Sequence, residues 1–479
     1  MSPLPIFLLI AVCFFSVAVS QDVDVIIVGG GLSGLSTAKD LAAANKTFLV
    51  LEARDRVGGR VLNHYLPNGY EVELGAEFVG PTQDRVLALA AELGLETFDI
   101  YESGDNVLYR NGVATPFFGD EATGLPPVSP LGLIQTGIAE ALIDEWASGI
   151  DVNAPWTHPR AAEWDSQTLQ DFSNIYGWSS DSQFLLDLMT TSVFSTEMSE
   201  PSMLYVLAYV ASAGNQTEAG TLERLLGVAN AAQQSRIVGG TQLLAIKLAE
   251  KLGWDKVLLN SPVESVVQQG DIYQVATPQA TYTGRHVVTA MSPPMAARIQ
   301  YDPLLPSARD QLCQRMPMGA IGKAIAIYET PFWRDMGLNG QVLSDSGAVR
   351  STFDSSPPDA SFGAMMGFLE ANEVRALDEL TIPEIENLTT QDYVNYFGPQ
   401  AANVSMWIIQ RWDLEEYSRG GPVAYAPPGI LTEYGALGLR TPFGKIHFAG
   451  TETAPYWTGY MDGAIRSGER TAAEILADF

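Results

Sequence analysis

Cysteine is almost absent from this sequence. Two occur in 479 residues, Cys13 and Cys313. Cys13 lies in an N-terminal segment that reads as a cleaved leader, so the mature chain keeps one thiol and can form no intramolecular disulfide. A cysteine-based metal cluster is excluded by the same count. The four histidines, His64, His158, His286 and His447, show no ligand spacing, and no metal is expected. Positive charge is also scarce: 27 Lys and Arg stand against 56 Asp and Glu, a net charge of -29. That balance argues against nucleic acid and anionic membranes as partners and favours the approach of cationic small molecules. With so few metal-binding and thiol side chains, the chemistry must come mostly from a bound organic cofactor.

Long hydrophobic runs are missing too. Ile6 to Val17 is the nearest approach to one, and it is too short to span a bilayer comfortably. Ala18-Val19-Ser20 then offers small residues for cleavage before Gln21, the pattern of a secretory signal over residues 1–20, although no Lys or Arg precedes the apolar run. An uncleaved N-terminal anchor is the alternative. Four Asn-x-Ser/Thr sequons, at Asn45, Asn215, Asn387 and Asn403, suit passage through the secretory route. The expectation is a secreted, soluble glycoprotein with no membrane anchor after cleavage; its oligomeric state is not readable. At 46% hydrophobic and 17% charged residues the chain is globular, and its length suggests two or three domains.

Asp24 to Val28 (DVIIV) is a short β-branched run of the kind that forms a buried parallel strand. Gly29-Gly30-Gly31-Leu32-Ser33-Gly34 follows, then a helical stretch to about Ala44, then a second apolar run, Phe48 to Leu51, ending on Glu52. Strand, glycine turn, helix, strand and acid make a dinucleotide-binding unit. Gly29, Gly31 and Gly34 permit a tight turn, close approach of a pyrophosphate and close helix packing, and Glu52 suits a ribose hydroxyl. Arg54 and Gly58-Gly59-Arg60 suit a second loop near phosphate, or an ordinary surface turn. Tyr70 to Val79 alternates and carries Gly75-Ala76, small enough for contact with a flat ring.

From about 100 to 235 the pattern turns to helices and loops, including an amphipathic stretch from Leu131 to Ala147. A helix to Leu252, a strand at Val257 to Leu259 and short strands to Ala290 follow. Strands and helices then continue, and Ile446 to Ala449 with a helix to about Leu476 close the chain. The pattern predicts an α/β (α+β) fold with a nucleotide-binding domain assembled from separated segments and a second domain inserted between them. The last helix opens after Trp457-Thr458-Gly459-Tyr460-Met461-Asp462-Gly463-Ala464 and directs free N–H groups at whatever lies before it.

The layout from Asp24 to Leu476 resembles the flavin-dependent amine oxidase family, which includes monoamine and polyamine oxidases. The likeness rests on seven blocks in order: VIIVGGGLSG, LEARDRVGGR, ELGAEFVGPTQDR, IVGGTQ, MGAIGKAIAIYETPFWR, EEYSRGGPVAYAPPG and HFAGTETAPYWTGYMDGAIRSGER. It implies a Rossmann-like FAD-binding domain from residues 22–100, 236–300 and 425–479, with an inserted substrate domain on a mixed sheet from 101–235 and 301–424. It also implies FAD held by Gly29, Gly31, Ser33, Gly34, Glu52, Ala53, Arg54, Gly59, Arg60, Val263, Gly450, Glu452 and Met461, with Gly75 and Ala76 near the flavin. The resemblance makes Lys323 the lysine that reaches flavin N5 through a water and assists the reaction with oxygen. The residues agree: Lys323 is the only charge between Met316 and Tyr328, and a lone buried lysine is costly enough to suggest function. A strand-end lysine snorkelling to solvent is the plain alternative. Tyr460 matches one wall of the family's aromatic cage around the substrate amine.

Two departures stand out. Where monoamine oxidases carry a cysteine linked to flavin this chain has Gly421, so FAD is expected to be non-covalent. Where they carry a second cage tyrosine it has Pro422, a feature similar to fungal aminopolyol (fumonisin-type) amine oxidases. The resulting expectation is oxidative deamination of a primary amine, with oxygen as acceptor and ammonia and hydrogen peroxide as products. An L-amino acid oxidase, a polyamine oxidase and a non-catalytic FAD-binding protein are the alternatives. Glu77 and Phe78 follow Gly75-Ala76, so an acid stands where an amino acid oxidase needs an arginine. Glu77 is expected to suit an additional substrate ammonium or to be a structural acid. With Phe78, Pro422 and Tyr460 it forms the expected substrate pocket.

Overall fold

Val25, Ile26 and Ile27 are fully buried, so the Asp22–Val28 strand has both faces covered, as its unbroken apolar run requires. In the computed structural model, which describes residues 22–118 and 125–479, this strand is central to an eight-stranded sheet. The leader expected over residues 1–20 and its expected cleavage point lie outside the described residues. Neighbours run in the order Val257–Leu258, Phe48–Leu51, Asp22–Val28, Thr281–Ala290, Ile272–Ala276, Ser265–Gln269, Gln300–Asp302. The ten-residue Thr281–Ala290 strand is shared. Thr281 to Gly284 pair antiparallel with Ile272–Ala276, while Val287 to Ala290 pair parallel with Ile446–Ala449. Residues hundreds of positions apart thus end at one edge.

At that edge the glycine turn leaves Val28. Gly29 has φ +112°, and a Cβ on it would lie 2.7 Å from the Ala290 carbonyl oxygen, so only glycine fits the turn without moving backbone. A Cβ on Gly34 would collide with the Gly29 carbonyl, which is why the Leu32–Ala43 helix can start so close to the strand. That helix packs on the last one, Met461–Leu476, through small residues. Ser33 Oγ meets Ser467 Oγ at 2.9 Å, and both accept from the Gly450 amide, at 2.9 and 3.1 Å. The two ends of the chain are joined here, at a sequence separation of 434.

The second sheet has seven strands, ordered Met406–Arg411, Ile321–Tyr328, Gly363–Glu370, Ser351–Asp354, Leu338–Ser344, Asp105–Arg110, Val113–Phe118. Only the Leu338–Ser344 and Asp105–Arg110 pair is parallel. The last two strands correct the expectation of helices and loops from residue 100. They form a hairpin about Asn111 and Gly112, with φ +53° and +79°, the left-handed pair that a tight two-residue turn demands. Pro116 is tolerated because Val113–Phe118 is the sheet's edge.

Helices from Pro130 to Leu226 form a further layer around Trp164, Phe172, Leu204 and Leu207. Hydroxyls cap several of them: Ser129, Thr168, Ser179, Ser202 and Thr221 each accept a backbone N–H in the first turn. Of the sequon asparagines, Asn45, Asn387 and Asn403 are exposed and Asn215 is half-buried. Among the described residues no helix is long and apolar enough to cross a membrane.

Candidate active site

A cavity of ≈ 580 Å³ opens where the first sheet, the second sheet and the helical layer meet. Its wall gathers Ser33, Arg60, Gly75, Ala76, Glu77, Phe78, Lys323, Pro422, Gly450, Tyr460 and Met461 from across the chain. The remaining expected cofactor residues, Gly29, Gly31, Gly34, Glu52, Ala53, Arg54, Gly59, Val263 and Glu452, are not on that wall. Most of them belong to the carboxyl edge of the first sheet and its loops. Glu52 Oε2 accepts from the Gly30 amide at 2.7 Å and Oε1 from the Arg54 amide at 2.9 Å, which draws the acid over the glycine turn. Arg54 is turned to Glu415 (3.1 Å) and Ser418 (2.8 Å). Val263 is half-buried against the apolar layer beneath the sheet.

Two helix N-termini face this cavity without a side-chain cap. Leu32–Ala43 begins after Gly31 and Met461–Leu476 after Tyr460. Leu32 and Ser33 from the first, and Tyr460, Met461 and Ala464 from the second, stand on the wall. Uncapped amides and the positive dipole end attract negative charge. The first suits a pyrophosphate, and the second suits a carbonyl oxygen that gains charge on reduction. Between them Arg60 donates to Glu452 at 2.8 Å and to the Pro422 carbonyl at 2.6 Å. The glycine cradle, the acid at the strand tip and the paired helix termini fit FAD.

Lys323 sits in Ile321–Tyr328, between Phe368 and Gln410 of its two neighbouring strands. It neither snorkels nor stands alone. With 3% exposure its Nζ donates to the Glu73 carbonyl at 2.9 Å and to Glu77 Oε2 at 2.7 Å. An ammonium has three protons, and the two bonds leave one for the cavity that Lys323 lines. Glu77 also meets Arg236 Nε at 2.9 Å and accepts from Ser355 Oγ at 2.5 Å. This corrects the expectation that Glu77 would take a substrate ammonium. Its charge is already shared by two buried cations, so the reading that survives is the structural acid.

Arg236 bridges to Glu73, whose Oε1 accepts from the Thr241 amide at 2.8 Å. Burial raises both acids. In Glu77 the nearby Lys323 and Arg236 outweigh it, and the carboxyl lies below its ordinary value. In Glu73 burial prevails over Arg236, with Glu77 adding repulsion, and the carboxyl is pushed from 4.5 up to about 7. A folded value above the unfolded one means that Glu73's stabilising share is full below pH 4.5 and is lost as the pH rises through about 7. In urea titrations, wild-type stability should therefore fall across that window relative to Glu73→Gln. Parallel profiles would remove Glu73 as the cause.

Tyr460 immediately precedes the last helix, its ring 4.9 Å from Trp457 and 6.2 Å from Tyr209. Tyr209 lines the cavity and was missed, since Met203–Ser212 reads as a uniformly apolar helix. Its repeat of tyrosine at Tyr205 and Tyr209 was the available signal. Burial raises the hydroxyls of both Tyr209 and Tyr460 well above the ordinary range, so they remain neutral. Pro422 lines the cavity, and Phe78, also on its wall, packs on Phe353 at 5.2 Å. Gln233, also missed, reaches the cavity with a buried Oε1 that no described group satisfies. Cys313 is buried and is not on the wall.

The family model of flavin-containing amine oxidoreductases matches residues 32–476. AofH of Mycobacterium tuberculosis, named as a flavin-containing monoamine oxidase, is 41% identical over 455 residues, covering 95% of this chain and 97% of its own. Amine oxidase [flavin-containing] B of Sus scrofa is 37% identical over 462 residues, covering 95% and 86%. Among solved structures, cyclohexylamine oxidase from Brevibacterium oxydans superposes with a TM-score of 0.89 at 32% identity, covering 96% of this chain and 99% of that one. Cradle, lysine, ring wall and these likenesses agree: the chain belongs to the flavin-containing amine oxidase family and is an FAD-dependent oxidoreductase.

Proposed function

We propose that this protein is a secreted oxidase of primary amines that holds FAD without a covalent link. The observation that carries the substrate reading is the charge on the cavity wall. Its two described cations, Arg60 and Lys323, are both engaged with acids, so no free cation waits for a substrate carboxylate. That favours amines over amino acids. Among the described residues no thiol stands on the wall and Gly421 lines it, which supports a free flavin.

When bound, FAD supplies a two-electron acceptor that oxygen restores. The chain's residues supply position and field. Tyr460 and Tyr209 present rings that hold a neutral amine and favour developing positive charge on nitrogen. Leucine, methionine and phenylalanine side chains exclude bulk water from the reacting carbon. Lys323, held in place by its hydrogen bond to Glu77, leaves one N–H where a bound water or oxygen can meet it. The overall reaction balances as RCH2NH2 + O2 + H2O giving RCHO + NH3 + H2O2.

A peroxide and ammonia release assay over monoamines, diamines, polyamines, aminopolyols and amino acids tests the reading. Equimolar release with primary amines is expected. Release with amino acids alone would replace it by the amino acid oxidase reading. Secretion has its own test: protein from culture medium should begin near Gln21 and lose mass on enzymatic deglycosylation, as exposed Asn45, Asn387 and Asn403 permit. An intact Met1 on cell-retained, unglycosylated protein would refute it.

A further inference from the structure

Four charged side chains line the cavity among the described residues: Arg60, Glu77, Glu140 and Lys323. Arg60 pairs with Glu452, and Glu77 pairs with Lys323 and Arg236. Glu140 differs, because its carboxylate makes no hydrogen bond or ion pair with any described residue. It stands on the Pro130–Ala147 helix, where Leu133, Thr136, Gly137 and Glu140 all line the cavity. The spacing i, i+3, i+4, i+7 makes this one continuous helix face, so Glu140's place on the wall follows from the helix itself. Ile134 and Ile138 on the other side are exposed. Glu140 is partly buried, and Asp144 follows one turn on, its Oδ1 accepting from the Leu222 amide at 2.8 Å.

Burial, then Asp144, raises the Glu140 carboxyl above its ordinary value, and a cation brought beside it would relieve both costs. The cavity wall also carries the apolar side chains of Leu186, Met189, Val193 and Leu225. Apolar walls between a carboxylate and a ring wall suit a hydrocarbon spacer with nitrogen at each end. We propose that Glu140 receives a second cationic group of the substrate, so that the preferred substrates are dications with one amine at Tyr460 and the other positive charge at Glu140. This rests on the reading of the protein as an amine oxidase and goes beyond it by assigning the distal site. It also returns to Glu140 the part that Glu77 cannot play.

The test uses the holoenzyme and matched pairs, each a straight-chain α,ω-diamine and the alkylamine of equal length. A charge-assisted contact contributes about 1.5–3 kcal/mol, so wild-type kcat/KM should favour the diamine by roughly tenfold to a hundredfold, with an optimum length because both ends are fixed. Glu140→Gln should bring that preference near unity, the diamine value falling roughly tenfold or more further than the monoamine value. Glu140→Lys should reject diamines and admit ω-aminocarboxylates. Calorimetric binding of an alkane bis-trimethylammonium ion, read without turnover, should weaken about tenfold in Glu140→Gln. Equal loss of mono- and diamine activity, or no wild-type preference at any length, would overturn the assignment. Failure of the underlying reading looks different: no amine, monoamines included, would reduce the wild-type enzyme.

Discussion

Lys323→Met should slow the reaction of the amine-reduced enzyme with oxygen on the order of a hundredfold, the scale on which one preorganised charged donor acts. It should leave reduction by amine within a few-fold of wild type. The argument is geometric. Two of the ammonium's protons are tied to the Glu73 carbonyl and to Glu77, the third is left for the cavity, and the charge is fixed before oxygen arrives. No solvent reorganisation is needed when negative charge develops on oxygen. Methionine keeps the volume, and Glu77 retains Arg236 as its counter-ion, so the variant is expected to fold. Stopped-flow mixing of reduced variant with oxygenated buffer reads the rate directly. Unaltered reoxidation would remove Lys323 from the oxygen half-reaction.

Glu77→Gln should have the largest effect on stability. The wild-type carboxylate is 3% exposed and is shared by Lys323, Arg236 and Ser355. Replacing it leaves two buried cations with Glu73 as their remaining acid, and breaking a buried pair in this way costs about 3–5 kcal/mol. Adding Lys323→Met removes the stranded ammonium, so the double variant should recover about 1–3 kcal/mol of that loss. Urea titration of all four proteins closes the cycle. A single variant as stable as wild type, or strictly additive losses, would show that the network is not a unit. Because Glu77 lies below its ordinary value when folded, its share of stability is present at neutral pH and lost as the pH falls through that value. Acid should therefore narrow the gap between wild type and Glu77→Gln.

Much of the nucleotide-binding side was legible because its signals are local. Phe48 to Leu51, Ile446 to Ala449 and the helix ending at Leu476 stand where the apolar runs and the glycines predict them. The Asn111-Gly112 hairpin was equally legible and was passed over: an Asn-Gly pair between two runs rich in β-branched and aromatic residues announces a tight hairpin. Glu77 was of another kind. An acid beside a glycine-alanine pair does not reveal that Lys323, 246 positions later, points at it from another sheet. The choice between substrate contact and structural acid for Glu77, and the reading of Lys323 as a lone charge, turn on one missing fact, since each is the other's partner. Tyr209 and Glu140 were hidden differently, because helical periodicity marks a buried face without saying whether it meets core or cavity.

The most direct test of the account is anaerobic titration of the purified, flavin-loaded enzyme with primary amines, followed in its visible spectrum. The account predicts complete loss of the oxidised flavin band with a suitable amine, and its return with release of hydrogen peroxide when air is admitted. A spectrum unchanged by every amine in a broad panel would contradict it.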